Sequence, residues 1–344
     1  MKSGKLISTI LFVTFTTLQY TSFSQTYFPY DKYNGTNLKW TEALQLKTSD
    51  TTIIMVTVRD KVASSQKLFS DKSIRPDQYT TLICLWKNPD WYIMEVPSLE
   101  VALQKSGCTK EVVTFIHGDG KDFPLAINRA ADIKLLFDIP VIAFDVPSLL
   151  PTSNKIKNFY NSKHNYKESS SLFTEYVKAL GKIKEHQPNL SLVLHMHSLG
   201  NYVYMESLKK NRLDKCPLIF ETILMNAAAV KQKRHKGWLE KSHIQKNIYI
   251  TYNKTDHTLN GAHFITFRKQ LGERLKKPLA SNGHYINFQT IAHKEHNYYR
   301  NTELFRIHPN LKLFYIDILH GRHVPLEDES RFSKRKDGKG FDIR

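Results

Sequence analysis

With 344 residues, 41% hydrophobic and 24% charged, the chain has room for one large domain or two modest ones and is neither disordered nor fibrous in composition. Lys and Arg number 50 against 32 Asp and Glu, a formal charge of +18. The basic residues fall in scattered clusters (Lys209 to Arg212, Lys231 to Lys236, Arg331 to Lys339) without interleaved aromatics. That pattern argues against nucleic-acid binding and describes a solvated basic surface, or one attracted to an anionic membrane surface or polyanionic substrate.

The first 24 residues read as a signal peptide. Lys2 and Lys5 form a positive start, Leu6 to Leu18 is apolar apart from Ser and Thr, and Ser22-Phe23-Ser24 offers small residues for cleavage. The expected mature chain begins near Gln25, with a charge of +16 once those two lysines are gone, in a periplasm or beyond. No cysteine stands at the cleavage point to take a lipid, and no later stretch has the ~18 apolar residues of a membrane span.

Residues 25–108 form a β-rich N-terminal extension. Its runs Thr51 to Val58, Thr80 to Trp86 and Trp91 to Val96 lack helical periodicity and are expected to lengthen or cover the main sheet, without chemistry of their own. The chain's three cysteines, Cys84, Cys108 and Cys216, are too few for a disulfide scaffold. A Cys84–Cys108 bridge is allowed by an oxidising compartment but not required.

From Glu111 the pattern becomes an alternation of buried strands and amphipathic helices over residues 109–328, the signature of an α/β fold with a mostly parallel sheet covered by helices on both faces. Expected strands are Val112 to Ile116, Val141 to Phe144, Leu190 to Leu194, Leu218 to Met225, Asn247 to Tyr252 and Tyr285 to Ile291. Expected helices include Pro124 to Phe137, Ser170 to His186, Asn201 to Leu208 and, capped by Gly321, Leu311 to Leu319. The basic tail, residues 329–344, is expected to be loose.

The carboxyl ends of such strands carry the ligand site. The run Leu190 to Leu194 leads into Met196-His197-Ser198-Leu199-Gly200 and then a helix, a strand–turn–helix with serine at the apex. This is the nucleophile elbow, G-x-S-x-G, with Met196 at the first small position, where its bulk is expected to crowd the turn. Ser198 is the candidate nucleophile, and the Leu199 N–H faces a helix N-terminus that favours negative charge. His117-Gly118-Asp119-Gly120 ends another strand and offers the Asp119 N–H as second oxyanion donor. Asp256, after Asn247 to Tyr252, is the candidate acid, or else a cap for the helix through Leu259. The base must follow it in the chain, where eight histidines are available. His296 fits if Tyr285 to Ile291 is the last strand, and His323 if Leu311 to Ile318 is. His195-x-His197 and His293-x-x-His296 lack the rest of a zinc string, so no metal or other cofactor is expected.

Thr114-Phe115-Ile116-His117-Gly118, His197-Ser198-Leu199-Gly200-Asn201, Asp256-His257-Thr258-Leu259, Leu271-Gly272 and His296-Asn297-Tyr298-Tyr299 together resemble a bacterial family of α/β hydrolases of unknown function. The resemblance covers about residues 111–300 and departs at Thr258, where that family favours alanine, and at Gln270, where it has arginine. It implies an α/β-hydrolase fold and a serine-hydrolase site, and it favours His296 over His323. Hydrolysis of a small-molecule or lipid-like ester is then the expected activity, with a catalytically inactive binding protein of the same fold at the cell envelope as the alternative.

Overall fold

The computed structural model describes residues 37–47, 50–62, 68–150, 152 and 154–344. The expected signal peptide lies outside the described residues. The chain opens with β1 (Leu38–Trp40), β2 (Thr52–Thr57), β3 (Arg59–Lys61), β4 (Phe69–Ile74), β5 (Thr80–Lys87) and β6 (Asp90–Val96). Then follow α1 (Leu99–Lys105), β7 (Glu111–Ile116), α2 (Phe123–Phe137), β8 (Val141–Asp145), α3 (Lys155–Glu168) and α4 (Ser170–His186). The elbow strand β9 (Ser191–His197) leads to α5 (Asn201–Lys209), β10 (Phe220–Asn226), α6 (His235–Leu239), β11 (Gln245–Tyr252) and α7 (His257–Thr266). Last come β12 (Gly283–Asn287), α8 (Gln289–Ala292), α9 (Thr302–Ile307), α10 (Pro309–Leu319), β13 (Phe332–Lys334) and β14 (Phe341–Ile343).

Among the described residues twelve strands make one sheet in the order β1-β6-β5-β2-β8-β7-β9-β10-β11-β12-β14-β13, parallel from β2 through β14. The central strands β7 to β11 are almost wholly buried, as expected of apolar runs sandwiched between helices. Helices α2, α9 and α10 share one face, where Phe137 packs against Phe305 and Tyr315. On the other face α4 packs Phe173 and Tyr176 against Phe144 of β8. After β7 the chain moves to β8 on one side, and after β9 it moves to β10 on the other. These neighbours therefore form the switch point, where an open sheet leaves a crevice.

The extension does lengthen the sheet, because β2 pairs in parallel with β8 and carries β5, β6 and β1 beyond it. Cys84, Cys108 and Cys216 are buried free thiols. Among the described residues no helix is long and apolar enough to cross a membrane. Helix α10 ends as expected: Gly321 takes a φ of +66°, while its N–H and that of Arg322 bond the carbonyls of Ile318 and Asp317.

Three expectations are corrected. Tyr285 to Ile291 is not one strand, since β12 stops at Asn287 and α8 follows. Helix α3 was not foreseen. The tail is not loose, because β14 pairs with β12 and β13 with β14, burying Phe332 and Ile343 and covering an edge that would otherwise stay open. A chain ending at Asp328 should therefore lose about 3 kcal/mol or more, the burial of two large apolar side chains. Urea denaturation of the two chains reads this, and a loose tail would leave the midpoint unchanged.

Candidate active site

At the end of β9, Ser198 turns the chain with a φ of +52° into a short 3-10 turn, Ser198–Gly200, and α5. A left-handed non-glycine residue costs about 1–3 kcal/mol and persists only where its surroundings enforce it. Here the Ser198 carbonyl accepts from the Ala229 N–H at 3.0 Å and from Asn201 Nδ2 at 2.9 Å. Glycine makes the turn possible. A Cβ on Gly200 would lie 2.5 Å from the His117 carbonyl oxygen, and one on Gly118 would lie 2.8 Å from the Ser198 Cβ. Met196, the bulky departure, is buried in register between Ile116 and Met225, and the turn beyond it is tight all the same.

A trans peptide points its C=O and N–H in opposite directions. Holding the Ser198 carbonyl therefore aims the Leu199 N–H the other way. The Gly118 carbonyl is held in the same manner, by His117 Nδ1 at 2.8 Å and Ser148 Oγ at 3.3 Å, while the Tyr166 hydroxyl donates to the neighbouring His117 carbonyl at 2.6 Å, and this fixes the Asp119 N–H. Among the described residues neither N–H has an acceptor. Two fixed, unused donors on adjacent strand ends can receive an oxygen that gains negative charge.

The Asp119 loop rests on a buried charge network. Arg59, fully buried, grips Asp145 through Nε at 2.7 Å and Nη2 at 3.0 Å, and donates to the Lys121 carbonyl at 3.0 Å. Thr57 Oγ1 and His117 Nε2 also bind Asp145, at 2.6 and 2.9 Å. Burial pushes the Asp145 pKa up, but the Arg59 charge and the hydrogen bonds from His117 and Arg59 outweigh it and hold the carboxyl well below the usual range. The Asp119 side chain is occupied, accepting from Ser162 Oγ at 2.5 Å and Asn158 Nδ2 at 2.9 Å, and burial raises its pKa. Arg59 lies in the extension, where the sequence offered no sign of a part in the site.

Asp256 meets both readings at once. Its fully buried carboxylate caps α7 through Oδ1, which accepts from the Leu259 N–H at 2.9 Å, while Oδ2 lies 2.7 Å from His296 Nδ1. A carboxylate there holds the proton on Nδ1 and leaves Nε2 of neutral His296 as the free basic nitrogen. The His296 ring stands 4.7 Å from that of His197, the neighbour of Ser198. Among the described residues no hydrogen bond joins the Ser198 hydroxyl to His296; such contacts often tighten only with substrate bound.

The other histidines are placed elsewhere or otherwise employed. His323 is 65% exposed in its side chain, faces Glu327 at 4.0 Å, and shares a cavity with His284 near the amino end of β12, on the opposite edge of the sheet. His293 is exposed and contributes its carbonyl to Asn253 and Thr255, both at 2.7 Å. His197 Nδ1 accepts from Asn226 Nδ2 at 3.2 Å. His195 packs its ring against Phe115 and Tyr299, and among the described residues neither nitrogen has a hydrogen-bond partner.

A family model described as an alpha/beta hydrolase of unknown function (DUF900) matches residues 97–273, just over half of the chain. The matched span contains Asp119, Ser198, Leu199 and Asp256 and stops short of His296. No curated protein matches the chain.

Burial lowers the His195 pKa to about 3, against about 6.5 in an unfolded chain. The folded state thus binds fewer protons than the unfolded one between those values. Its stabilising contribution is complete above about pH 6.5 and is lost as pH falls toward 3, at up to about 1.4 kcal/mol per pH unit. Unfolding free energies measured from pH 7 to 4 should fall steeply for the native chain and less steeply for His195→Leu; equal slopes would rule this histidine out as the cause.

Proposed function

This chain belongs to the alpha/beta hydrolase family of unknown function and has its fold, and we propose that it is an exported serine hydrolase cleaving an ester-like bond of a small or lipid-like molecule. In this reading Ser198 attacks the acyl carbon while His296 Nε2 takes its proton, and Asp256 steadies the imidazolium. The N–H groups of Leu199 and Asp119 receive the oxyanion. The tetrahedral intermediate collapses as His296 returns the proton to the departing alkoxide. Water, activated by the same imidazole, then frees the acid from Ser198.

One observation carries the reading. A wholly buried carboxylate hydrogen-bonds Nδ1 of a histidine at 2.7 Å, beside a serine held in a left-handed turn at the switch point. A structural serine cap has no need of that strain or of a carboxylate–histidine pair next to it. The second reading, a binding protein without catalysis, is favoured by the missing Ser198–His296 hydrogen bond. Export to a periplasm or beyond follows from Lys2, Lys5 and the apolar run behind them.

A fluorophosphonate probe should label the chain, and p-nitrophenyl acetate and butyrate should be turned over. Both activities should vanish in Ser198→Ala. His296→Ala and Asp256→Asn should lower kcat by about 10⁴-fold, and His323→Ala should leave it unchanged. A folded chain that takes no label would move the assignment to the binding protein. The exported form, sequenced from its N-terminus, should begin near Gln25.

A further inference from the structure

Beside the elbow lies a cavity of about 110 Å³ walled by α3, α5 and the segment after α7. It is small against the roughly 300–1,000 Å³ of a pocket that takes a whole ligand, and suits one group of a larger molecule. Its walls carry four cations, Lys163, Lys209, Lys231 and Arg268. Lys209 pairs with Glu206 at 3.6 Å, and the Glu206 charge also reaches Lys163, where it opposes the lowering of the pKa. Among the described residues Lys163, Lys231 and Arg268 have no carboxylate within salt-bridge distance. Lys163 stands over the Tyr202 ring at 5.2 Å, and burial followed by the Arg268 charge lowers its pKa. The Arg268 charge is likewise the main cause that lowers the pKa of Lys231. One carboxylate, Glu206, does not balance four cations, which therefore repel one another, and an anion between them offsets that cost.

The cavity lies against the elbow and one residue along α3 from the support of Asp119. Ala229 lines it and donates its N–H to the Ser198 carbonyl. Ser162, the residue before Lys163, hydrogen-bonds the Asp119 carboxylate. We propose that this cavity is an anion subsite that binds a phosphate group of the substrate, so that the ester cleaved at Ser198 belongs to a phosphate-bearing molecule. Several cationic N–H donors around one cavity fit the terminal oxygens of a phosphate better than a single carboxylate. The phosphate belongs to a soluble ester or to a lipid headgroup. Phe264 and Phe267, 76% and 86% exposed just before Arg268, would meet the acyl chains in the second case. The inference rests on the hydrolase reading above for the bond that is cleaved, but not for the binding of the anion.

The test begins with calorimetric titration of the full chain with inorganic phosphate at constant ionic strength. Saturable binding is expected in the native chain and in Ser198→Ala, weakened about tenfold or more in Lys163→Gln with Arg268→Gln. Lys231→Gln, at the partly exposed side of the cavity, is the second variant should the pair fail to fold. Absence of saturable binding, or equal binding by the variants, overturns the subsite. Because Ser198→Ala reports binding without turnover, a failed fluorophosphonate reaction and a failed subsite are told apart. Next, the ratio of kcat/KM for butyryl glycerol phosphate over butyryl glycerol should exceed about ten and fall toward one in the double variant; an unchanged ratio counts against the proposal. Finally, vesicles of phosphatidic acid in phosphatidylcholine distinguish the source. Binding that needs Phe264 and Phe267 as well as Lys163 assigns a lipid headgroup, and selectivity confined to the soluble ester assigns a soluble phosphate.

Discussion

The structure depends on how closely four strand ends, those of β7, β9, β10 and β11, approach one another. Ser198 can occupy its left-handed turn only because Gly200 lies against the carbonyls of Ile116 and His117, and because Gly118 leaves room for the Ser198 Cβ. The next strand ends are joined in the same way. A Cβ on Gly272 would fall 2.3 Å from the Ala228 nitrogen, while the Gly272 carbonyl accepts from Asn253 and its N–H bonds Ala228. Backbone in contact with backbone makes a rigid platform, since peptide groups have no rotamers through which to relax. The unused N–H groups and the Asp256–His296 pair all stand on this platform.

Beneath it the N-terminal extension takes a part that its pattern of plain strands conceals. Arg59 reaches from the extension into the sheet and holds Asp145, which in turn holds His117 at the start of the loop that carries Asp119. A buried ion pair is weak evidence of stability in itself, but removing one partner strands a charge and costs about 3–5 kcal/mol. The extension and the family-matched region therefore cannot be treated as independent units. They share one sheet, one core and one charge network.

Parts of the candidate site were legible before the fold was known, and for local reasons. An apolar run followed by a small-residue turn and a helix marks an elbow wherever it occurs, so Ser198 and Leu199 could be named from adjacent residues. Asp256 could be named from its place after a strand, in the chain order Ser, acid, His. Whether that carboxylate caps a helix or orients a histidine could not be settled in that way, and the two oxygens turn out to serve one purpose each. Helix α3 escaped notice because its buried face includes polar side chains. Asn158, Ser162 and Asn165 point at Asp119 and the loop after β8 and give no apolar period to detect.

The alternation of the central strands β7 to β11 with helices, the position of the elbow and the polarity of the strand ends were determined by the sequence alone, because each depends on side chains within one or two turns of one another. Among the eight histidines after Asp256, by contrast, only the tertiary structure decided that His296 meets the carboxylate while His323 lies on the far edge of the sheet. It also decided that a polar tail becomes two strands and that four scattered cations share one cavity. Except for the β13–β14 hairpin, these pairings join residues about 20 to 110 positions apart, and such contacts leave no period in the chain from which they could be read.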